Sequence, residues 1–232
     1  MDVPCFVLGR QPESVPELVP QGANLTDRDQ QVIQTLTHRV RVLTLDQIAR
    51  TWFPDGDHPR SNASRRMGVL ERTGLLARAT ILARPELVAD VPVLRWFPGH
   101  AAPPFEKLAY GLVSRWTQPA VPTAIFMATR SAGIRSGGFG GRRPRRSEAT
   151  HDVCLAGVYL RLLEIEPLVA QTWVAESKLR HRGFGENAML PDAMMERGGR
   201  SIVVEFGGAY SAAKLKLFHE FCKGRDLPYE LW

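Results

Sequence analysis

Basic and amide side chains in one stretch of this sequence, residues 61–72, have the chemistry that recognises nucleic acid. An asparagine can pair with the edge of adenine, and an arginine with the edge of guanine. The base-reading candidates are Asn62, Ser64 and Arg65. Other arginines would contact phosphates and would set affinity more than sequence choice. These phosphate-contact candidates are Arg66, Arg72, Arg78, Arg142, Arg143, Arg145 and Arg146.

A second basic stretch, residues 130–146, reads RSAGIRSGGFGGRRPRR and contains six arginines and no acidic residue. It has little apolar surface with which to order itself, so we expect a mobile basic loop or linker. Its GGFGG part lacks the lysine and serine that end a phosphate-binding loop. We therefore expect no nucleotide site here.

Two carboxylates stand at the ends of neighbouring predicted strands. Asp192 follows Pro191 where one strand begins, and Glu205 ends the next strand. A turn could explain Asp192 as well as a ligand role, because the proline before it itself favours a turn. Glu205 ends an apolar strand beside two glycines, so a solvated surface position explains it less well. For both residues the structural and the functional interpretation stay open.

The histidines and cysteines predict no metal centre. His151 and Asp152 are interpreted as the start of a helix capped by Thr150, because the other histidines show no ligand spacing. Three cysteines, far apart and odd in number, argue against both a disulfide scaffold and a zinc finger.

The composition is that of an ordinary globular protein with a basic surface. The chain has 232 residues, of which 44% are hydrophobic, and a formal net charge of +6. The charge favours a polyanionic partner but does not determine the fold. The longest uncharged stretch is too short to cross a bilayer, and the first residues do not resemble a signal peptide. We expect a cytoplasmic protein.

The first part of the chain predicts three helices followed by a hairpin. Residues 1–22 contain four prolines and predict an arm without periodic structure. A helix is predicted over 27–38 after a Thr26 cap, a second after Thr44 with Gln47 reaching back to it, and a third from Ser61 to Gly74. Leu75–Leu82 and Val93–Phe97 predict a hairpin. Residues 23–100 thus have the element order of a winged helix-turn-helix, in which the third helix can enter a major groove.

The second half of the chain predicts a different, α/β unit. Residues 101–149 are expected to connect the two units through a helix over 104–116, a strand over 123–129 and the basic loop. From residue 150 to 232 we predict a helix over 151–164, strands over 172–179, 188–195 and 201–206, a helix over 211–223 and a strand over 227–231. The order is α-β-β-β-α-β, and the fold class of the whole chain is α+β.

This order, with Pro191–Asp192 opening one strand and Glu205 closing the next, resembles the restriction-endonuclease-like fold of the PD-(D/E)xK nuclease superfamily. Together with the segments LTDRDQQVIQTL and LTLDQIARTWFP, the chain from Leu25 to Trp232 resembles replication-relaxation-type winged-helix proteins. That family is associated with plasmids and other mobile elements.

The nuclease resemblance implies metal-assisted hydrolysis of a phosphodiester. Asp192 and Glu205 would be the ligands of Mg²⁺, which takes only one or two carboxylates from a protein. Glu164 or Glu176 would supply an additional acid.

The resemblance departs from the family pattern at one position. The pattern places a lysine two residues after the glutamate, where this chain has Gly207. Lys214 or Lys216 of the next helix could replace it and balance charge in the transition state. We expect a nuclease fold with little or no nuclease activity.

These observations lead to one preferred function and two alternatives. The preferred function is binding of double-stranded DNA in the regulation, replication or transfer of a mobile element, as a homodimer or in a larger nucleoprotein assembly. The first alternative is an active Mg²⁺-dependent endonuclease that uses Asp192, Glu205 and Lys214. The second is a protein-interaction module whose basic surface meets an acidic protein.

Overall fold

The computed structural model describes residues 24–55, 57–87, 90–181, 185 and 189–232, so the predicted arm over 1–22 lies outside the described residues. Within the described residues the chain forms nine helices and eight strands, which are arranged in two sheets. The predicted α+β class is confirmed at this level. None of the helices in this part of the chain is long and apolar enough to cross a membrane.

The first elements follow the sequence prediction closely. They are α1 (Asp27–His38), β1 (Leu43–Thr44), α2 (Leu45–Trp52) and α3 (Pro59–Arg72). Thr26 and Asp29 form a capping box at the start of α1, and Thr44 and Gln47 form another at α2. Each box satisfies amide groups that have no partner within the helix. The third helix begins at Pro59, two residues before the predicted start.

The first sheet has three strands, in the order β1, β4 (Val121–Ala128) and β2 (Leu76–Ala83), all antiparallel. The predicted hairpin between 75–82 and 93–97 is therefore wrong. The strand β3 (Leu94–Trp96) has only three residues and pairs in the other sheet. Because β4 matches all eight residues of β2, it satisfies backbone groups that a three-residue partner would leave unpaired.

The chain passes from the first sheet to the second and back between β2 and β4. This excursion, residues 84–120, contains β3 and α4 (Phe105–Ser114). The predicted domain boundaries at 100 and 149 therefore do not coincide with the division of the strands between the two sheets. Part of the predicted winged-helix domain joins the second sheet, and part of the predicted connection joins the first.

The second sheet has five strands in the order β3, β8, β7, β6 and β5. Their ranges beyond β3 are β5 (Val174–Ala175), β6 (Ala193–Arg197), β7 (Arg200–Glu205) and β8 (Tyr229–Leu231). All neighbours are antiparallel except β7 and β8, which are parallel and are joined by the helix α9 (Ala212–Lys223). The predicted strand over 172–179 is wrong after Ala175, where α8 (Glu176–His181) begins.

The helix α6 (Ala149–Ile165) packs against both sheets, and α7 (Pro167–Gln171) follows it. Val153 lies in a core cluster with Ile125 of the first sheet, and Leu160 lies in a cluster with Val204 of the second. Thr150 does not cap this helix as predicted. The helix begins at Ala149, two residues before the predicted start, and the Thr150 hydroxyl instead accepts a hydrogen bond from the backbone N–H of Arg84 at 3.0 Å.

The glycine- and arginine-rich segment packs onto the first unit, which consists of α1 to α3 and the first sheet; the second unit consists of the second sheet with α6 to α9. The segment makes a helix and backbone contacts where the sequence predicts a mobile loop. Residues Arg130–Arg135 form the helix α5. The backbone N–H of Phe139 donates to the carbonyl of Thr37 at 2.7 Å, and a Cβ at Gly138 would overlap that carbonyl. The backbone N–H of Gly141 donates to Ala128 at 2.8 Å. Backbone contacts that only glycine permits order this segment, so its low apolar content is a poor guide.

Candidate functional site

The structure brings Asp192 and Glu205 together. Asp192 directly precedes β6, and Glu205 ends β7, so the pairing of Ala193 with Val204 places them at the same end of the sheet. The backbone N–H of Asp192 donates to Oε2 of Glu205 at 3.3 Å. The register of the antiparallel strands β6 and β7 is therefore sufficient to bring these two residues together.

Two further side chains complete this group. Nε2 of His151, in the first turn of α6, lies 2.9 Å from Oδ2 of Asp192. The Tyr210 hydroxyl donates to Oε1 of Glu205 at 2.6 Å. We call His151, Asp192, Glu205 and Tyr210 the carboxylate cluster. Asp192 Oδ2 also accepts the backbone N–H of Phe206 at 2.8 Å, which fixes its rotamer at the end of β7.

Burial and neighbouring charge shift the ionisation of the carboxylate cluster. Glu205 is 4% exposed, and burial, together with the charge of Asp192, raises its pKa to about 8. Burial alone would lower the pKa of His151, but the charge of Asp192 and hydrogen bonds to Asp192 and Asp152 outweigh it and raise the pKa to about 10. Near neutral pH these shifts favour the charged form of His151 and the neutral form of Glu205.

Lys214 does not touch either carboxylate through a hydrogen bond or ion pair that the structure shows for the described residues. Its Nζ lies over the Tyr210 ring, 3.4 Å from the centroid. Tyr210 therefore links the two, with its ring against Lys214 and its hydroxyl on Glu205. Lys216 is exposed on the same helix.

The two additional acids proposed from the sequence are engaged elsewhere. Glu164 pairs with Arg161 at 2.9 Å. Glu176 pairs with Arg180 at 2.6 Å and lies 3.5 Å from Arg41. Neither serves as the third carboxylate that a nuclease site would take from the first helix or the next strand.

The position of the missing lysine is closed by apolar side chains. A Cβ at Gly207 would lie 2.8 Å from Leu231 and 3.0 Å from Leu112 of α4. Leu112 is fully buried, so it has no solvent-facing space into which to retreat. Position 207, where the nuclease pattern places its lysine, is therefore packed inside the apolar core of this chain.

The carboxylate cluster does not fit Mg²⁺. Both oxygens of Glu205 and Oδ2 of Asp192 already accept hydrogen bonds from protein donors. Over the described ranges no group of three or more His, Cys, Asp or Glu side chains is arranged to hold a metal ion. A Mg²⁺ ion demands near-ideal octahedral oxygen geometry, which these engaged oxygens do not offer.

Sequence reasoning noticed His151 but interpreted it only locally, and it missed Tyr210 and Arg41. Nη1 of Arg41, in the turn between α1 and β1, lies 2.8 Å from Asp152 and 3.2 Å from Glu148. One feature of the sequence could have indicated the role of His151. The α-β-β-β-α-β order places the start of the first helix, where His151 lies, near the strand ends that carry Asp192 and Glu205. Tyr210 follows Glu205 closely in the sequence but is not a position of the nuclease pattern, and Arg41 belongs to no recognisable motif.

The base-reading candidates lie on α3. Nη2 of Arg65 donates to Oδ1 of Asn62 at 2.9 Å, and Arg65 is exposed. Asn62 and Ser64 are half-buried on the same helix.

Arg66, a predicted phosphate contact, has a structural role within the fold. Its Nε donates to Oδ1 of the fully buried Asp29 at 2.9 Å, and its Nη2 bonds the other carboxylate oxygen and the carbonyl of Asn24. The Arg66 guanidinium therefore ties α3 to the start of α1 and is committed to the fold.

Two hydrogen bonds place Arg130 and Arg143 near the edge strand β2 or the turn that precedes it. The Thr129 hydroxyl donates to the carbonyl of Gly74 at 2.7 Å, which brings Arg130 beside the end of α3. Arg143 donates to the carbonyl of Thr80, two residues after Arg78 on β2. We call these exposed residues the basic strip: Arg72, Arg78, Arg130, Arg143, Arg145 and Arg146.

Arg142 differs from the residues of the basic strip. Its Nη2 lies 2.6 Å and 2.7 Å from the two carboxylate oxygens of Glu148. This ion pair neutralises the Arg142 charge, so the predicted phosphate contact of Arg142 would have to displace Glu148.

Comparison of the chain with protein-family models, with curated proteins and with solved structures gave no match.

Proposed function

We propose that this protein binds duplex DNA through α3 and the basic strip, in the regulation, replication or transfer of a mobile element. The observation that carries the proposal is the set of exposed arginines on α3, β2, α5 and the segment over 143–146, of which hydrogen bonds hold Arg143 and the residue before Arg130 against β2 or the turn that precedes it. Like charges on separate elements repel one another unless a polyanion lies against them. Duplex DNA is such a polyanion, with a regular spacing of phosphates.

The connectivity of the first unit supports a winged-helix interpretation. Its elements run α1, β1, α2, α3, β2 and β4, with β4 between the other two strands. In a winged helix-turn-helix this order makes α3 the recognition helix, whose N-terminal residues contact base edges. Asn62, Ser64 and Arg65 lie in that half of α3. The hydrogen bond between Arg65 and Asn62 orders both side chains before DNA arrives.

The proposed mode of binding differs from that of a winged helix with a free wing. The tip of the β2–β4 pair is held against the second unit, where Arg84 bonds Thr150 through its backbone and the Trp116 carbonyl through its guanidinium. We therefore assign the phosphate contacts to the basic strip on the β2 edge, and not to the hairpin tip.

We propose further that the second unit is a nuclease-like fold that does not cleave DNA. The strands β5 to β8, with helices before β5 and between β7 and β8, support the α-β-β-β-α-β interpretation. The closed position at Gly207 and the engaged oxygens of Asp192 and Glu205 support the lack of activity. An active endonuclease is the second candidate, because the two carboxylates predicted for it do meet.

The salt dependence of DNA binding tests the proposal. Fluorescence anisotropy with a labelled duplex from 50 to 200 mM salt compares wild type with a fourfold glutamine variant of Arg78, Arg130, Arg145 and Arg146. Each lost phosphate contact should reduce the slope of log K against log salt by about 0.9, or about 3.6 for four contacts. The control replaces Arg200 and Arg225, which are exposed on β7 and after α9.

Each outcome decides between the candidate functions. An unchanged slope in the fourfold variant removes the basic strip from the interface. No salt-sensitive DNA binding by wild type favours the protein-interaction alternative. Nicking of supercoiled plasmid with Mg²⁺ or Mn²⁺ that disappears in Asp192→Ala establishes the endonuclease.

A further inference from the structure

Three hydrogen-bond donors converge on one oxygen of Glu148, the residue before α6. Oε2 of Glu148 accepts from Nη2 of Arg142 at 2.7 Å and from the backbone N–H of Arg145 at 3.1 Å. Nη1 of Arg41 reaches the same oxygen at 3.2 Å. We call the guanidinium groups of Arg41 and Arg142 together with the backbone N–H of Arg145 the donor cradle.

The donor cradle has the chemistry of a phosphate site. Guanidinium groups and backbone N–H groups are the donors with which proteins hold phosphates. Three donors exceed the two lone pairs of a single carboxylate oxygen, so Glu148 satisfies them incompletely. A phosphate group is tetrahedral and has its acceptor oxygens farther apart, so it can divide the three donors between its oxygens.

Glu148 can leave the donor cradle without uncovering a buried charge. The side chains of Glu148 and Arg142 are 28% and 47% exposed, and an ion pair at such a position is weak. Arg41 keeps a second partner, because its Nη1 also lies 2.8 Å from Asp152. The Glu148 side chain caps no amide of α6, so its displacement leaves the start of that helix intact.

The donor cradle is continuous along the chain with the basic strip. Arg143, which follows Arg142 directly, donates to the carbonyl of Thr80 on β2. Arg145 supplies its backbone N–H to the donor cradle and its exposed side chain to the basic strip. An anion in the donor cradle therefore lies at the end of the basic strip.

We propose that the donor cradle is a phosphate-binding site that Glu148 occupies in the free protein, and that a phosphate of duplex DNA enters it by displacing Glu148. The inference rests on the proposed function for the source of the phosphate. It goes further by adding Arg41 and the Arg145 backbone to the interface, and by assigning to Glu148 the role of a competitor that lowers DNA affinity.

The first test compares the DNA affinities of glutamine variants by fluorescence anisotropy. Glu148→Gln removes the competing charge and should bind a labelled duplex about five- to tenfold more tightly at 100 mM salt, with a slope of log K against log salt steeper by about 0.9. Adding Arg142→Gln should return both quantities to about the wild-type values. The matched control is Glu164→Gln, which removes an exposed acid at the other end of α6 and should leave the slope unchanged.

The second test uses inorganic phosphate and so does not require DNA binding. Phosphate added to ¹⁵N-labelled Glu148→Gln should shift the Nε–Hε signal of Arg142 and the backbone amide signal of Arg145. The same shifts in wild type should require at least about fivefold more phosphate. Duplex added to wild type should shift the Arg145 amide signal too, which tests the site without a variant.

The outcomes separate this inference from the proposed function. If wild type binds duplex and Glu148→Gln binds it no more tightly than Glu164→Gln, the inference is wrong and the proposed function stands. If duplex is not bound but phosphate shifts the signals of Arg142 and Arg145, the proposed function is wrong and the donor cradle binds free phosphate. Signals of Arg142 and Arg145 that neither duplex nor phosphate shifts would overturn the inference.

Discussion

Arg65 and Arg66 are neighbours on α3, and we expect substitution of Arg66 to lower stability and substitution of Arg65 to lower DNA affinity. Arg66→Ala removes the cation that pairs with Asp29, which has 0% exposed surface. Breaking a buried ion pair costs about 3 to 5 kcal/mol. Arg66 is 28% exposed and Thr26 still donates to Asp29, so we expect a smaller loss, about 2 to 3 kcal/mol. At about 2 to 4 °C per kcal/mol, the melting temperature should fall by about 4 to 12 °C.

Thermal denaturation followed by circular dichroism, together with DNA anisotropy, separates the two roles. Arg65→Ala should leave the free energy of unfolding within about 0.5 kcal/mol of wild type, because Arg65 is exposed and its described hydrogen-bond partner is Asn62. The same substitution should weaken binding to a cognate duplex by about 1 to 3 kcal/mol if Arg65 contacts a base in a bidentate manner.

The double variant of Arg66→Ala with Asp29→Asn provides the control. It should be more stable than Arg66→Ala alone, because the uncompensated buried charge is gone. A melting temperature of Arg66→Ala equal to that of wild type would refute the structural role of the pair. Unchanged DNA affinity of Arg65→Ala would refute the assignment of α3 as the recognition helix.

Three further predictions concern the carboxylate cluster and the glycines. On folding, the pKa of His151 rises from 6.5 to about 10 and that of Glu205 rises from 4.5 to about 8. Because the folded state then binds more protons than the unfolded state, the free energy of unfolding in denaturant titrations should fall between pH 5 and 9, and below pH 8 it should fall less steeply in Glu205→Gln. A free energy of unfolding that rises with pH would contradict both shifts. Gly138→Ala should lower the free energy of unfolding by about 1 to 3 kcal/mol in the same titrations, because its Cβ would overlap the Thr37 carbonyl. The control is Gly111→Ala, whose Cβ meets nothing within 4 Å and which should not destabilise the fold. Equal effects of the two substitutions would contradict the packing of the segment over 130–146. Gly207→Lys should lower the melting temperature and give no plasmid nicking with Mg²⁺, and a stable, active variant would show that its position is open.

Local signals in the sequence predicted the local structure well. The capping residues Thr26 and Thr44 mark helix starts because they bond amide groups only three residues away. Strand pairing is not local, and the sequence failed there. The sequence pattern predicts that the run over 75–82 pairs with the next apolar run along the chain, whereas the fold pairs it with β4, about 40 residues later.

The candidate site was predictable only where adjacent strands carry it. Asp192 precedes β6 and Glu205 ends the neighbouring strand β7, so the order of the strands along the chain predicts that the two carboxylates meet. His151 reaches Asp192 only through the packing of α6 against the second sheet, which no periodicity reports. Composition also misled for the segment over 130–146, because it counts apolar surface and ignores the backbone contacts that glycine allows.

Photo-crosslinking to duplex DNA tests the central claim most directly. An azidophenylalanine is introduced at position 64 on α3, at position 145 in the basic strip, or at position 217, where Leu217 of α9 is 66% exposed on the second unit. We predict crosslinks to a labelled duplex from positions 64 and 145 that weaken as salt is raised, and none from position 217. Crosslinks from position 217 alone, or from none of the three in protein that is folded, would contradict DNA binding through α3 and the basic strip.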